Sequence, residues 1–248
     1  MSRHQQLRIR VSILQAACSL LVMLALAGCG KKKQVAHTPP PPSIENSRDG
    51  NPSPPNIDAR NYPRNAKPLY VETGIASWYG PPYSGRKAAT GEIFDMNQPT
   101  AAHKTLPLNS IVRVTNLKTG KSIVLRINDR GPFVGDRMLD LSMAAAKVID
   151  VYRAGLAQVK LEVLETPAPI ETGGRWCVQI GAFTDSDAAR RLKSKLMRKY
   201  QTAKVIEFSG PTGDWVRIRP AQDDRKKAFE MARDMRAGEG GVFVVRLD

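Results

Sequence analysis

The sequence predicts a mainly β chain: an all-β barrel followed by a small α+β domain of βαββαβ order. Three observations carry this. Residues 69–166 hold short strand-like runs set apart by Gly- and Asn-containing turns, with one short helix among them. Residues 175–248 alternate strand-like and helix-like patterns, and Ala188, Leu192, Leu196 and Tyr200 recur every four residues along one helical face. Ahead of both, residues 30–68 hold Pro39-Pro40-Pro41-Pro42, Pro52, Pro54, Pro55 and Pro63, with almost no large apolar side chains to bury.

The first residues read as an export leader. Arg3, Arg8 and Arg10 make a positive start, and an apolar run from Ala16 to Ala27 follows. That run is too short to span a bilayer and ends in small residues, as a cleavable signal does. Its ending, Leu26-Ala27-Gly28-Cys29, resembles a lipobox. The resemblance implies removal of residues 1–28 and a membrane anchor of several acyl chains on Cys29. Gly30 stands where an Asp often retains such proteins in the inner membrane, so the inner leaflet of an outer membrane is the expected site. The tether from Cys29 to Pro68 reaches about 35 Å as a flexible coil and about 120 Å as polyproline II. Lys31-Lys32-Lys33 has two readings, a contact to anionic head groups or a solvated run.

With Cys18 in the leader and Cys29 acylated, Cys177 is alone, so no intramolecular disulfide is expected. His4, His37 and His103 form no cluster of metal-ligand spacing with the cysteines, and neither a cofactor nor a metal is expected. The formal charge is +15; removing the three leader arginines leaves +12. A cytosolic chain this basic points to nucleic acid. Export directs the charge instead to wall polymers and lipid head groups, and no nucleic-acid partner is expected.

Within the first domain, Ile111 to Asn116 and Ser122 to Asn128 form a hairpin around Asn116 to Lys121. Ile123, Leu125 and Ile127 share one face of the second strand; Val124, Arg126 and Asn128 share the other. Gly131-Pro132 ends it. Ser142 is a candidate cap for a helix from Met143 to Ile149, and Val159 to Leu164 is a closing strand. Pro167 to Gly174 is a second linker. In the last domain Trp176, Val178 and Ile180 alternate as a strand, ahead of a helix capped at Asp185 or Ser186. Val205 to Phe208 and Trp215 to Ile218 make a hairpin around Gly210 to Gly213. Phe229, Ala232 and Met235 or Arg236 mark a second helix, and Val242 to Leu247 the last strand.

Glu92, Asp95, His103 and Asp129 concentrate chemistry in a short span. Each also has a structural reading. Asp129 before Arg130-Gly131 suits an Asx turn, Glu92 after Gly91 suits a solvated turn, and His103 suits a hydrogen-bonded core position.

The blocks around these residues resemble the rare lipoprotein A family. They are Ala76-Ser77-Trp78-Tyr79-Gly80, Gly85-Arg86-Lys87, Thr90 to Asn97, Ala101 to Leu108, Val112 to Leu117 and Asn128 to Phe133. The resemblance implies a six-stranded double-psi β-barrel, the fold shared with expansins, and an endolytic peptidoglycan lytic transglycosylase. The family's groove residues fall on Glu92, Asp95, His103 and Asp129. Ser84 stands where relatives often have His, and Ala88-Ala89-Thr90-Gly91 replaces Thr-Ala-Ser-Gly; neither departure touches the four polar residues.

The C-terminal domain, through Val178-Gln179-Ile180-Gly181-Ala182-Phe183 and the helix behind it, resembles the sporulation-related (SPOR) repeat that binds peptidoglycan. The second signature departs. Aligned on Pro220, the aromatic of Trp215-Val216-Arg217-Ile218-Arg219 is displaced by one position, which puts Trp215 on the face opposite the usual aromatic. Gln179 and Arg217 are the better glycan-binding candidates, and Trp215 is divided between glycan contact and core packing. Residues 175–248 carry 16 basic and 10 acidic side chains, a net +6. That charge either meets the lactyl carboxylates of peptide-free (denuded) strands or is a solvated helix face.

The chemistry implied by the resemblance needs one carboxyl. The muramic 6-hydroxyl attacks its own anomeric carbon and leaves a 1,6-anhydro ring. Asp129 is the expected acid/base, by resemblance to single-aspartate relatives of the barrel, and Glu92 is the runner-up. Glu92 and Asp95 are expected to supply a raising field and to stabilise the oxocarbenium-like state. His103 is expected to orient a carboxyl or the substrate. Expected partners are denuded glycan strands, the membrane through the lipid, and division-site proteins. Two function classes stand: the enzyme at the division septum, and a non-catalytic, expansin-like wall-binding or wall-loosening lipoprotein.

Overall fold

The computed structural model describes residues 61–210, 213–235 and 241–248. The leader, Cys29 and the linker up to residue 60 lie outside the described residues, as do Pro211, Thr212 and Arg236.

Six strands close the barrel: β1 (Tyr70–Tyr79), β2 (Thr100–His103), β3 (Ile111–Asn116), β4 (Ser122–Asp129), β5 (Arg137–Ser142) and β6 (Ala157–Glu165). Their order around the barrel is β1-β5-β2-β4-β3-β6. The pairs β1/β5 and β2/β4 are parallel and the other four antiparallel. Closure pairs every strand on both sides, so the barrel offers no open edge. The interior is filled by Val112 and Val114, Leu125 and Ile127, Leu139 and Leu141, and Val159, Leu161 and Val163. The hairpin, the closing strand and the inward face of β4 lie where the alternation predicts. Two helices, α1 (Met143–Val148) and α2 (Val151–Ala154), add Ala145, Ala146 and Val151 to the same core. Ser142 caps α1 by accepting from the Ala145 N–H at 3.2 Å.

Every residue of strands β2 and β5 is buried, the polar Thr100, His103, Arg137, Asp140 and Ser142 included, so neither strand has an exposed face. The barrel's contacts also reach back into the Pro-rich segment. The Arg113 guanidinium donates to the carbonyls of Tyr62, Pro63 and Arg64 at 2.7–3.2 Å.

The C-terminal domain comprises β7 (Trp176–Phe183), α3 (Ser186–Lys199), β8 (Lys204–Gly210), β9 (Gly213–Arg219), α4 (Arg225–Asp234) and β10 (Gly241–Arg246). The sheet is antiparallel, in the order β10-β7-β9-β8. Asp185 and Asp224 cap the two helices by accepting from the N–H of Asp187 and Lys227. The helices cover one sheet face, packing Ala189, Leu196 and Ala228 on Trp176, Val178, Ile180, Val216 and Ile218. The other face carries Cys177, Gln179, Trp215, Arg217, Phe243 and Val245, as the two-residue period dictates. Arg190, Arg191, Lys195, Arg198 and Lys199 are exposed on α3, in the helix layer and away from this face. Their charge is that of a solvated helix.

Candidate active site

Asp129 ends β4 one strand period beyond Ile127. The β2/β4 register shifts there, consecutive Ala101 and Ala102 pairing with Ile127 and Asp129, so plain alternation stops short of Asp129, which is completely buried. Its Oδ1 accepts two main-chain hydrogen bonds, from Arg130 at 2.8 Å and from Ala89 at 2.9 Å. Its Oδ2 has no partner among the described residues. Burial, reinforced by the charge of Glu92, pushes the carboxyl up to about 7 against the pull of the two N–H donors.

Ala89 reaches Asp129 because the segment 85–94 folds back as a hairpin. Phe94 N–H donates to the Arg86 carbonyl, Ala88 N–H to Glu92, and Gly91 N–H to Ala88. Gly91 takes a φ of +89°, which the turn requires and an L side chain resists. The Thr90 N–H then ties this turn to the Asn128 carbonyl at 3.1 Å. The departures from Thr-Ala-Ser-Gly fall at Ala88 and Thr90, whereas the donor to Asp129 is the main chain of Ala89, which both versions of the block share. The sequence comparison of side chains cannot see a main-chain donor.

The same hairpin delivers Glu92 to β4. Arg126 Nη2 contacts both Glu92 oxygens, at 2.8 and 3.0 Å, and Asn128 Nδ2 donates to Oε1 at 2.6 Å. Arg126 is itself braced by Asn109 Oδ1 at 3.0 Å. Both oxygens of Glu92 are thus engaged by donors. Asp95 is exposed, and its Oδ1 accepts from the Asn97 N–H at 2.9 Å, closing an Asx turn.

His103 is brought to a different place. Its Nδ1 accepts from the N–H groups of Thr105 and Leu106, at 3.2 and 3.0 Å, so that nitrogen carries no proton. Its Nε2 lies 3.3 Å from Glu72 Oε2. Burial holds the imidazole below its ordinary value despite the bond to Glu72, and that same bond leads in holding Glu72 below the usual carboxylate range. His103 and Glu72 line a cavity of about 320 Å³ with Lys104, Trp176 and Arg225; Asp129, Glu92 and Asp95 are not in its wall. The hairpin therefore meets β4 at two points, Ala89 on Asp129 and Glu92 on Arg126 and Asn128, while His103 turns to Glu72.

On the C-terminal sheet, Gln179 and Arg217 face each other across the β7/β9 ladder, with Arg217 Nη2 donating to Gln179 Oε1 at 2.7 Å. Arg217 also lies over the Phe208 ring at 5.0 Å. Trp215 shares their face and covers Gly181, away from the core beneath the helices.

Sequence reasoning missed Arg126, Asn128, Ala89 and Glu72. A signal existed for the first two: they are polar residues two apart within an otherwise apolar strand. Nothing local marks the other two, which meet their partners across 40 and 31 residues.

Residues 71–161 match the lytic transglycolase family, and residues 172–246 match the SPOR domain family. Among relatives, the endolytic peptidoglycan transglycosylase RlpA of Vibrio cholerae is 42% identical over 249 residues, covering 91% of this chain and 94% of that protein. RlpA of Campylobacter jejuni is 36% identical, covering 70% of this chain and 71% of its own length. RlpA of Neisseria meningitidis is 53% identical over 103 residues, covering 42% and 43%. Likeness that runs through both domains and nearly the whole of the Vibrio protein places this chain in the RlpA family of endolytic peptidoglycan transglycosylases.

Proposed function

We propose that this chain cleaves MurNAc–GlcNAc bonds within peptide-free glycan strands, leaves 1,6-anhydroMurNAc ends, and acts in septal wall remodelling and daughter-cell separation. The observation that carries the reading is Asp129, a buried carboxyl near neutral in its titration, with one oxygen held by two N–H donors and the other unpartnered.

The chemistry follows from that asymmetry. Oδ1 is committed to donors, so the proton of the neutral acid sits on Oδ2. That proton passes to the glycosidic oxygen as the C1–O bond of the muramic residue breaks. The fixed carboxylate of Glu92 favours the positive charge then developing on the sugar ring. The 6-hydroxyl oxygen bonds to C1 and returns its proton to Asp129. No water is consumed, and the acid is regenerated. His103 is a positioning residue: it pins the turn after β2, the strand whose Ala102 pairs with Asp129.

Gln179 and Arg217, with Trp215 beside them, form the proposed glycan face of the C-terminal domain. Arg217 is its cation with neutral partners, whereas Arg219 is paired with Asp223. The lipid on Cys29 is proposed to hold the chain at the periplasmic face of the outer membrane; Cys29→Ser is expected to move it to the soluble fraction.

Mass spectrometry of denuded sacculi after digestion tests the activity. Anhydro ends are the expected product. Ordinary reducing ends indicate a hydrolase, and retained binding without new ends returns the reading to a non-catalytic wall protein.

A further inference from the structure

The chain leaving β4 at Asp129 continues through Arg130, Gly131 and Pro132 to Phe133, and Phe133 leaves the barrel to enter the open face of the C-terminal sheet. Its ring lies 5.6 Å from that of Trp215 and 5.5 Å from that of Phe243, edge-on to both. It completes a buried apolar cluster with Cys177, Val245 and Leu247. Arg130 fastens the same junction. Its Nη1 holds the His103 and Leu106 carbonyls of the barrel, at 3.1 and 2.8 Å, and its Nη2 holds the Asp248 carbonyl at 2.6 Å. Main-chain bonds from Arg246 N–H to the Lys104 carbonyl and from Leu108 N–H to the Asp248 carbonyl run alongside.

This contact covers the face assigned above to glycan. Gln179 is 1% exposed and Arg217 5%. Gln179 Nε2 and Arg217 Nε are left without partners, two buried donors facing nothing. Apolar burial of Phe133, Trp215 and Leu247 favours the docked arrangement, while the two orphaned donors oppose it. A glycan strand reverses both terms, because sugar rings offer hydroxyl acceptors to Gln179 and Arg217 and C–H faces to Trp215.

We propose that Phe133 is an internal occupant of the glycan face, so that strand capture by the C-terminal sheet and docking of the Asp129–Phe133 loop are mutually exclusive. Capture of a peptide-free strand then undoes the Arg130–Asp248 bond and frees the loop that directly follows the catalytic acid. The inference rests on the reading of Gln179, Trp215 and Arg217 as the glycan face.

Cys177 reports the state of this surface, because it lies in the covered cluster and is fully buried. The test uses the full chain bearing Asp129→Asn, which leaves strands intact. N-ethylmaleimide labelling of Cys177 is followed by peptide mapping, with and without saturating peptide-free glycan strands. The expected result is at least a tenfold rise in labelling rate with strands. Phe133→Ala is expected to give a similar rise without strands, and to bind denuded sacculi several-fold tighter. Phe133→Leu, which keeps bulk and loses the ring contacts, gives an intermediate rise and guards against misfolding of the alanine variant. Strand binding with Cys177 still protected overturns the proposal, as does unchanged affinity in both folded Phe133 variants. Absence of strand binding in parent and variants alike overturns the glycan-face reading itself; faster Cys177 labelling in the Phe133 variants would still register the docking.

Discussion

The Ala89 main-chain N–H donates to Asp129 Oδ1 at 2.9 Å across 40 residues of sequence. Arg130 N–H donates to the same oxygen at 2.8 Å. Two donors on one oxygen make the carboxyl asymmetric: Oδ1 is a fixed acceptor, and Oδ2 is the end without a donor, to which the proposed mechanism assigns the proton.

Asp129→Asn keeps an oxygen for both donors and puts an amide where Oδ2 was. Release of anhydro ends is expected to fall by about 10²–10⁴-fold. The fold is expected to gain from the same change at high pH. A carboxyl raised from 3.8 to about 7 binds its proton more tightly when folded. Between those values the folded chain holds more protons than the unfolded one, so the wild type loses stability as pH rises. Above pH 7 the full penalty, on the order of a few kcal/mol, is present in the wild type and absent in the asparagine variant. Thermal melts at pH 5 and pH 8 check it: the variant's advantage must grow with pH.

In the proposed mechanism the acid form of Asp129 starts the reaction, so the rate is expected to fall as pH rises through about 7. Initial rates of anhydro-end formation on denuded glycan, measured from pH 5 to pH 9, test this. A flat profile across that range removes Asp129 as the proton donor.

Glu92 charge helps to raise Asp129, and Arg126 holds Glu92 in place. Glu92→Gln is expected to lower kcat more than it raises KM, and to move the falling limb of the pH profile to more acidic values. Arg126→Lys loses the contact to both oxygens and is expected to reproduce a weaker version of the same shift. A loss of rate with an unmoved pH profile would restrict Glu92 to a structural role.

His103→Ala removes the acceptor of two N–H groups and leaves Glu72 without its imidazole partner. It is expected to cost about 1–3 kcal/mol of stability. Residual activity at a temperature where the variant is folded should keep the wild-type pH dependence. His103→Asn, whose side-chain oxygen can accept from the turn, is expected to recover part of the loss. A displaced pH profile in folded His103→Ala would instead bring the imidazole into the proton transfer.

Much of the barrel was legible because its hairpin and closing strand obey simple alternation. Ile123, Leu125 and Ile127 turn inward as their spacing dictates. β2 and β5 carry no such signal, since residues such as Ala101, Ala102, Leu139 and Asp140 are buried on both strand faces. The groove was half legible. Glu92 is held by Arg126 and Asn128 and Asp129 by Ala89 and Arg130, while His103 is turned to Glu72, a residue on β1 that reads as an ordinary strand acid. Trp215 was divided between two surfaces. It lies on the sheet face opposite the helices, where Phe133 of the barrel covers it.

By itself the sequence determined which residue types stand where: an apolar row of Ile123, Leu125 and Ile127 on β4, a cationic and an amide side chain two apart on its other face, a carboxyl just past Asn128, and two alternating strands with Gln179 and Arg217 on one side. Those follow from periods of two and 3.6 residues, which are local. The tertiary structure decided the rest. It chose the partner of each polar group: Ala89 for Asp129, Arg126 for Glu92, Glu72 for His103, and Phe133 for Trp215. Burial depth and long-range hydrogen bonding arise only when the barrel closes and the two domains meet. The shift that makes Asp129 an acid near neutral pH is a property of that closure, since an aspartate in a solvated loop of the same local sequence would titrate with the ordinary carboxylates.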